Sequence, residues 1–146
     1  MKPSVIVLLL LSGSLFFSPP TWYQSLSDAQ SIAKELERPI LLVFSGSDWC
    51  RPCMKLEQEV LSQPNFQQFA AAELVLLKAD FPRKRKNKLS SERLSAAEEL
   101  AEHYNPKGMF PTLLLLNASG EITSSLSYQG EGSAEFIARI KAASSL

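Results

Sequence analysis

Ile40-Leu41-Leu42-Val43-Phe44-Ser45-Gly46-Ser47-Asp48-Trp49-Cys50-Arg51-Pro52-Cys53 holds both cysteines of the chain. Its five leading apolar residues suit a strand buried on both faces. The small and polar residues that follow make a loop, and Met54, Leu56, Val60 and Leu61 then recur at helical spacing. The stretch predicts a strand, a loop, and a helix whose first turn bears the cysteines.

Two residues between cysteines at the start of a helix let the sulfurs reach each other, so the pair can cycle between dithiol and disulfide. Cys50 closes the loop, where unpaired backbone N–H groups and the positive end of the helix dipole favour a thiolate. Arg51 adds a neighbouring positive charge. Pro52 suits an early helical position because its missing N–H has no partner there anyway. Cys50 is therefore the expected nucleophile, and Cys53, one turn deeper, the resolving thiol. A zinc site needs four ligands, and with no second cysteine pair and only His103 to add, no metal is expected. A purely structural disulfide is the competing reading, weakened because a bridge closing so small a loop removes little chain entropy.

Outward from this stretch, Ser27 and Asp28 are expected to cap a helix whose Ile32, Ala33 and Leu36 face one way and which Pro39 ends. Residues 65–72 read as a short helix and 74–79 as a second buried strand. Ala97, Leu100, Ala101 and Tyr104 lie at helical spacing until Asn105-Pro106-Lys107-Gly108 stops them. Phe110-Pro111-Thr112 enters a third strand, 113–116, which turns at Asn117-Ala118-Ser119-Gly120 into 121–128. A last helix holds Phe136, Ile137 and Ile140 inward. The order α-β-α-α-β-α-β-β-α predicts an α/β domain.

The 146 residues carry 15 basic and 15 acidic side chains and are 45% apolar, a balance that supports one hydrophobic core and fits neither disorder nor a disulfide-stapled mini-protein. A net charge of zero argues against a dedicated nucleic-acid binder. Met1, Lys2 and the apolar run 5–17 read as an export signal. As a helix that run would be about 20 Å long, short of the roughly 30 Å hydrocarbon core. Residues 1–20 are thus expected to be a signal peptide or N-terminal anchor, with the domain at 21–146 and a periplasmic location. Arg83, Lys84, Arg85, Lys86 and Lys88 put five positive charges into six positions. Such crowding predicts an extended, solvated loop, and the functional alternative is a docking surface for an acidic partner or anionic lipid.

Trp49-Cys50-Arg51-Pro52-Cys53 after an apolar strand, with Phe110-Pro111-Thr112 before another, resembles the thioredoxin superfamily over roughly residues 26–144. Residues 44–50, Asp80-Phe81-Pro82-Arg83-Lys84 and Asn105-Pro106-Lys107-Gly108 are similar to exported bacterial members. The resemblance implies a thioredoxin fold, a central mixed sheet flanked by helices, in which residues 81–93 form a basic insertion before the helix that precedes the cis-proline strand. It implies a cis bond at Pro111 lying against the cysteines. Trp49, Phe110, Pro111 and Thr112 become substrate-binding residues, with Arg51 and Pro52 tuning the thiols. There are also departures. The family's buried acid, six or seven residues before the first cysteine, falls on Phe44 or Val43, and the lysine facing it on Leu76, so both members of that charge pair are expected to be missing. Asp48 and Glu57 are the acids nearest in sequence to replace it. His103 is expected on the surface, and Tyr128, Gly130 and Gly132 at a strand end and turn.

Together these features predict an exported thiol:disulfide oxidoreductase acting on protein substrates with no cofactor. Arg-Pro between the cysteines is close to the Gly-Pro of reducing thioredoxins, which favours a reductase over an oxidase or isomerase. A reductase outside the cytoplasm needs a membrane protein to resupply its electrons. From a different class, the Phe110-Pro111 groove would hold extended peptides as a chaperone-like module, with the disulfide serving only structure.

Overall fold

The structure, a computed structural model, describes residues 18–144. Of the expected leader, residues 1–17 lie outside the described residues. In chain order the elements are β1 (Trp22–Tyr23), α1 (Leu26–Leu36), β2 (Ile40–Ser45), α2 (Arg51–Leu56), α3 (Pro64–Glu73), β3 (Val75–Asp80), α4 (Ser91–Tyr104), β4 (Thr112–Leu116), β5 (Ile122–Leu126) and α5 (Ser133–Ser144). A wider π turn, Glu57–Leu61, prolongs α2, and a 3-10 turn spans Arg85–Asn87.

The five strands form one sheet in the order β1-β3-β2-β4-β5. β1 and β2 run parallel to β3, while β4 lies antiparallel to β2 and to β5. The expected mixed sheet flanked by helices is therefore present. Every residue of β2 is buried, as its unbroken apolar run requires of a strand covered on both sides. Alternation along the strands divides the core. Leu41 and Val43, with Leu76, Leu113 and Leu115, pack under α2, α3 and α5 against Leu56, Val60, Phe66 and Phe136. Ile40, Leu42 and Phe44 pack on the opposite face against α1 and α4 through Ala29, Ala33, Ala97 and Leu100. The helix bearing the cysteines thus has a rigid sheet beneath it.

Three local expectations need correction. β1 is a strand that the sequence reading missed. At two residues it is too short to show a period, and only its pairing of Trp22 with Leu76 and Tyr23 with Leu77 defines it. α1 is capped by Ser25, whose hydroxyl accepts the Asp28 N–H at 3.4 Å, and it stops at Leu36 because Glu37 turns left-handed with φ 53°, before Pro39 is reached. Residues 81–93 are not one extended loop. They contain the 3-10 turn and the start of α4, where the Ser90 hydroxyl caps the Arg93 N–H at 3.3 Å.

Candidate active site

β2 ends at Ser45, and the chain turns at Gly46, whose carbonyl accepts the N–H groups of Trp49 at 3.2 Å and Cys50 at 2.9 Å. Only glycine fits there. A Cβ at Gly46 would stand 2.4 Å from the Trp49 ring, closer than real contacts allow. The turn delivers Cys50 to the N-cap of α2, with Arg51 and Pro52 in the first turn. Cys50 Sγ accepts the Cys53 N–H at 3.3 Å, the cap bond that a serine or aspartate oxygen makes in other helices. The two cysteines are disulfide-bonded with Cα atoms 5.2 Å apart, and both are buried.

The loop into β4 reaches the residue before Cys50 through the Phe110 ring, which meets that of Trp49, and its Phe110–Pro111 peptide bond is cis. Thr112 opens β4 opposite Phe44 of β2. Buried Asn105 latches the loop: its amide donates to the Met109 carbonyl at 2.8 Å and its carbonyl accepts the Met109 N–H at 3.1 Å, while the Thr112 hydroxyl donates to the same Met109 carbonyl at 2.8 Å. Sequence reasoning assigned Asn105 only to a helix stop and missed this role. A cavity of about 460 Å³ opens beside Pro111 and Thr112, with Met109 and Tyr128 in its lining. Tyr128 lies just past β5 and donates to the Glu59 carboxylate at 2.8 Å. Burial, then that bond, push the phenol up to about 12.

Aromatic contacts join the two loops. The rings of Trp49 and Phe110 meet edge to face with centroids 5.5 Å apart, and Phe81 meets Phe110 likewise at 5.7 Å. The Trp49 indole N–H donates to the Phe81 carbonyl at 2.7 Å, and the Arg83 guanidinium lies over the indole at 3.8 Å. Of the expected substrate-binding residues, Trp49 and Phe110 are thereby joined, and Pro111 and Thr112 follow Phe110 into β4. His103 is exposed on α4 with its ring edge-on to Tyr104. Gly130 and Gly132 lie in the turn between β5 and α5.

The basic insertion is held rather than splayed by repulsion. The Asp48 carboxylate accepts the N–H groups of Arg83 at 2.9 Å and Lys84 at 3.0 Å and the Asn87 amide at 2.9 Å. The Arg83 bond, foremost among these contacts, holds the carboxyl below its ordinary 3.8. A depressed folded-state value means the clamp's contribution is present above the unfolded value and is lost as pH falls through the folded one. Hydrogen-exchange protection of the Arg83 and Lys84 amides is thus expected at neutral pH and down to about pH 4, vanishing only in stronger acid.

The family's buried charge pair is missing as expected, since Val43, Phe44 and Leu76 are all apolar core residues. The next position after Leu76 on the same face of β3 is Lys78, opposite Val43, and its ammonium pairs with Glu57 at 2.9 Å. Glu57 follows Cys53 by one helical turn and shares with it a cavity of about 360 Å³, together with Ser45 and Ser47. A different charge pair, which the sequence reading did not foresee, therefore stands part-exposed near Cys53. Of the two acids near the cysteines, Asp48 is occupied by the insertion and Glu57 adjoins Cys53.

A family model described as thioredoxin-like matches residues 21–118, and the chain belongs to that family. Kinship of this kind, together with the Cys50–Cys53 disulfide, places it among the family's thiol:disulfide oxidoreductases. It is 32% identical over 121 residues to the disulfide bond reductase DsbH of Chlamydia pneumoniae, covering 83% of this chain and 71% of that protein. The solved structure of DsbH oxidoreductase matches with a TM-score of 0.80 at 28% identity over 96% of this chain and 94% of the other. A thioredoxin from Thermus thermophilus, at 20% identity, a TM-score of 0.61 and coverage of 86% and 87%, shares the fold.

Proposed function

We propose that the protein is an exported disulfide reductase whose Cys50 attacks protein disulfides and whose Cys53 resolves the product. The observation that carries this reading is Cys50 at the N-cap of α2, its sulfur already accepting a backbone N–H, with Trp49 just before it in ring contact with Phe110 of the cis Phe110–Pro111 bond. In the reduced protein the same N–H and the helix terminus favour negative charge on Cys50. The Cys50 thiolate attacks one sulfur of the substrate disulfide, and that S–S bond breaks to give a mixed disulfide and one substrate thiolate, which takes up a proton. Cys53 loses its proton and attacks Cys50 Sγ, and the second substrate thiolate departs and is protonated. Two electrons have passed to the substrate, and the enzyme is left as the Cys50–Cys53 disulfide.

The proton of Cys53 needs an acceptor, and Glu57 is the carboxylate in its cavity, steadied by Lys78 and by the Ser62 hydroxyl at 3.0 Å. Glu57→Gln is expected to slow resolution of the mixed disulfide by about ten- to a hundredfold while the first attack is little changed. Stopped-flow measurement of the two steps separates them.

The sequence Trp49, Phe110, Pro111, Thr112 forms the surface on which an extended substrate segment lies, and Arg51 and Pro52 tune the thiols. The leader at residues 1–20 takes the domain, 21–146, to the periplasm, and a membrane protein returns it to the dithiol form. Support for the direction comes from the kinship with a disulfide bond reductase. Equilibration against glutathione buffers tests it: a reduction potential near that of thioredoxin, about −270 mV, is expected, whereas one near that of DsbA, about −120 mV, would make the protein an oxidant. Equal, negligible insulin reduction by the wild type and Cys50→Ser would instead leave the peptide-holding module as the reading.

A further inference from the structure

Arg83, Lys84, Arg85, Lys86 and Lys88 are all exposed, and among the described residues none of them forms an ion pair. Two contacts fix where this charge sits. Asp48 holds the backbone of Arg83 and Lys84 and the side chain of Asn87, so the carboxylate at the base of the patch is engaged by N–H donors. The Arg83 guanidinium is stacked on Trp49, the residue before Cys50, and Trp49 in turn touches Phe110, the residue before cis-Pro111. Like charges so gathered repel one another, yet the chain uses a clamp and a stacking contact to keep them at the rim of the cysteine site.

We propose that this patch docks an acidic segment of the protein substrate, a run of aspartate or glutamate within a few residues of the cystine that Cys50 attacks. The inference rests on the oxidoreductase reading and deepens it by naming a substrate class. An extended chain advances roughly 3.3 Å per residue, so a strand lying on Trp49 and Phe110 with its cystine at Cys50 carries neighbouring carboxylates onto Arg83 and the 3-10 turn. Arginine offers those carboxylates a planar fork, and the lysines raise the encounter rate. A polypeptide fits better than a lipid surface because the cations adjoin the aromatic rim of the thiol site, and one occupant reaches both.

The test uses the full domain and three synthetic peptides of equal length, each closed by one disulfide and flanked by acidic, neutral or basic residues. With dithiothreitol as reductant, kcat/KM for the acidic peptide is expected to exceed that for the neutral one by about tenfold at low salt, the low end of electrostatic steering. The preference should vanish at 1 M salt, where the screening length is about 3 Å. The triple variant Arg85→Gln, Lys86→Gln, Lys88→Gln spares the clamp and the stacked Arg83, and in it the acidic-to-neutral ratio should fall to within about twofold of unity. Equal rates for the acidic and neutral peptides in the wild type, or a preference that the triple variant retains, would overturn the proposal. So would binding to phosphatidylglycerol vesicles without any peptide preference. If no peptide is reduced at all, the oxidoreductase reading has failed, and docking is read separately by fluorescence anisotropy of the acidic peptide with serine in place of its cysteines. Salt-sensitive binding lost in the triple variant supports docking, and no binding by the wild type rejects it.

Discussion

Cys50→Ser is expected to reduce dithiol-driven insulin reduction to background, a loss of about a thousandfold or more, because a hydroxyl cannot replace a thiolate as the attacking group at neutral pH. Nothing else in the site can take over. Cys53 is 3% exposed and lies inside the first turn of α2. Cys53→Ser has a different outcome. The nucleophile is intact and the first exchange proceeds, but the mixed disulfide is not resolved, so covalent enzyme–substrate adducts accumulate on non-reducing gels. Cys50→Ser should form none. The contrast matters more than the loss itself, since misfolding would abolish both turnover and trapping.

The second large effect concerns the support beneath the site. Phe136 of α5 has no solvent exposure and belongs to the same core as Leu56, Val60 and Leu61, which follow the cysteines along α2 and its π extension. Phe136→Ala removes most of a buried ring and leaves a cavity that rigid neighbours cannot close, which costs about 3–5 kcal/mol. Against the roughly 5–15 kcal/mol that holds a typical domain together, this is a large share of the whole. Urea denaturation should therefore show a midpoint lower by about 1–3 M at an unchanged slope. A loss below about 1 kcal/mol would mean that α5 does not seal this face of the sheet.

The features that were legible in the sequence are those carried by contiguous residues. Five apolar residues, a loop of small and polar residues, and two cysteines about a proline specify β2, its exit and the start of α2 through local rules of burial and capping. Phe110-Pro111-Thr112 marked the entry to β4 from its own residues, and its cis bond was expected only from the family resemblance. What escaped depends on partners far apart in the chain. β1 exists only because Trp22 and Tyr23 find Leu76 and Leu77 on β3. The family's lysine position was read correctly as Leu76, but the Lys78–Glu57 pair was not foreseen, because strand pairing sets Lys78 opposite Val43, where it meets a glutamate from another element. The basic run was read as a repelling loop because its clamp, Asp48, lies 35 positions before Arg83. Asn105 looked like a helix stop, and its second role as a latch on Met109 shows only once the chain has turned back. Local chemistry announced the cysteine pair, and non-local contacts built its surroundings.

Cys50 as the attacking thiol is the claim on which the rest depends, and brief alkylation of the fully reduced protein tests it most directly. Iodoacetamide is added near neutral pH and the two cysteines are followed by peptide mass mapping. The helix terminus and the Cys53 N–H favour a thiolate at Cys50, while Cys53 is buried and shares its cavity with Glu57. Cys50 should therefore be alkylated much faster than Cys53. Modification of Cys53 first, or reaction of both at the slow rate of ordinary buried cysteines, would contradict the account.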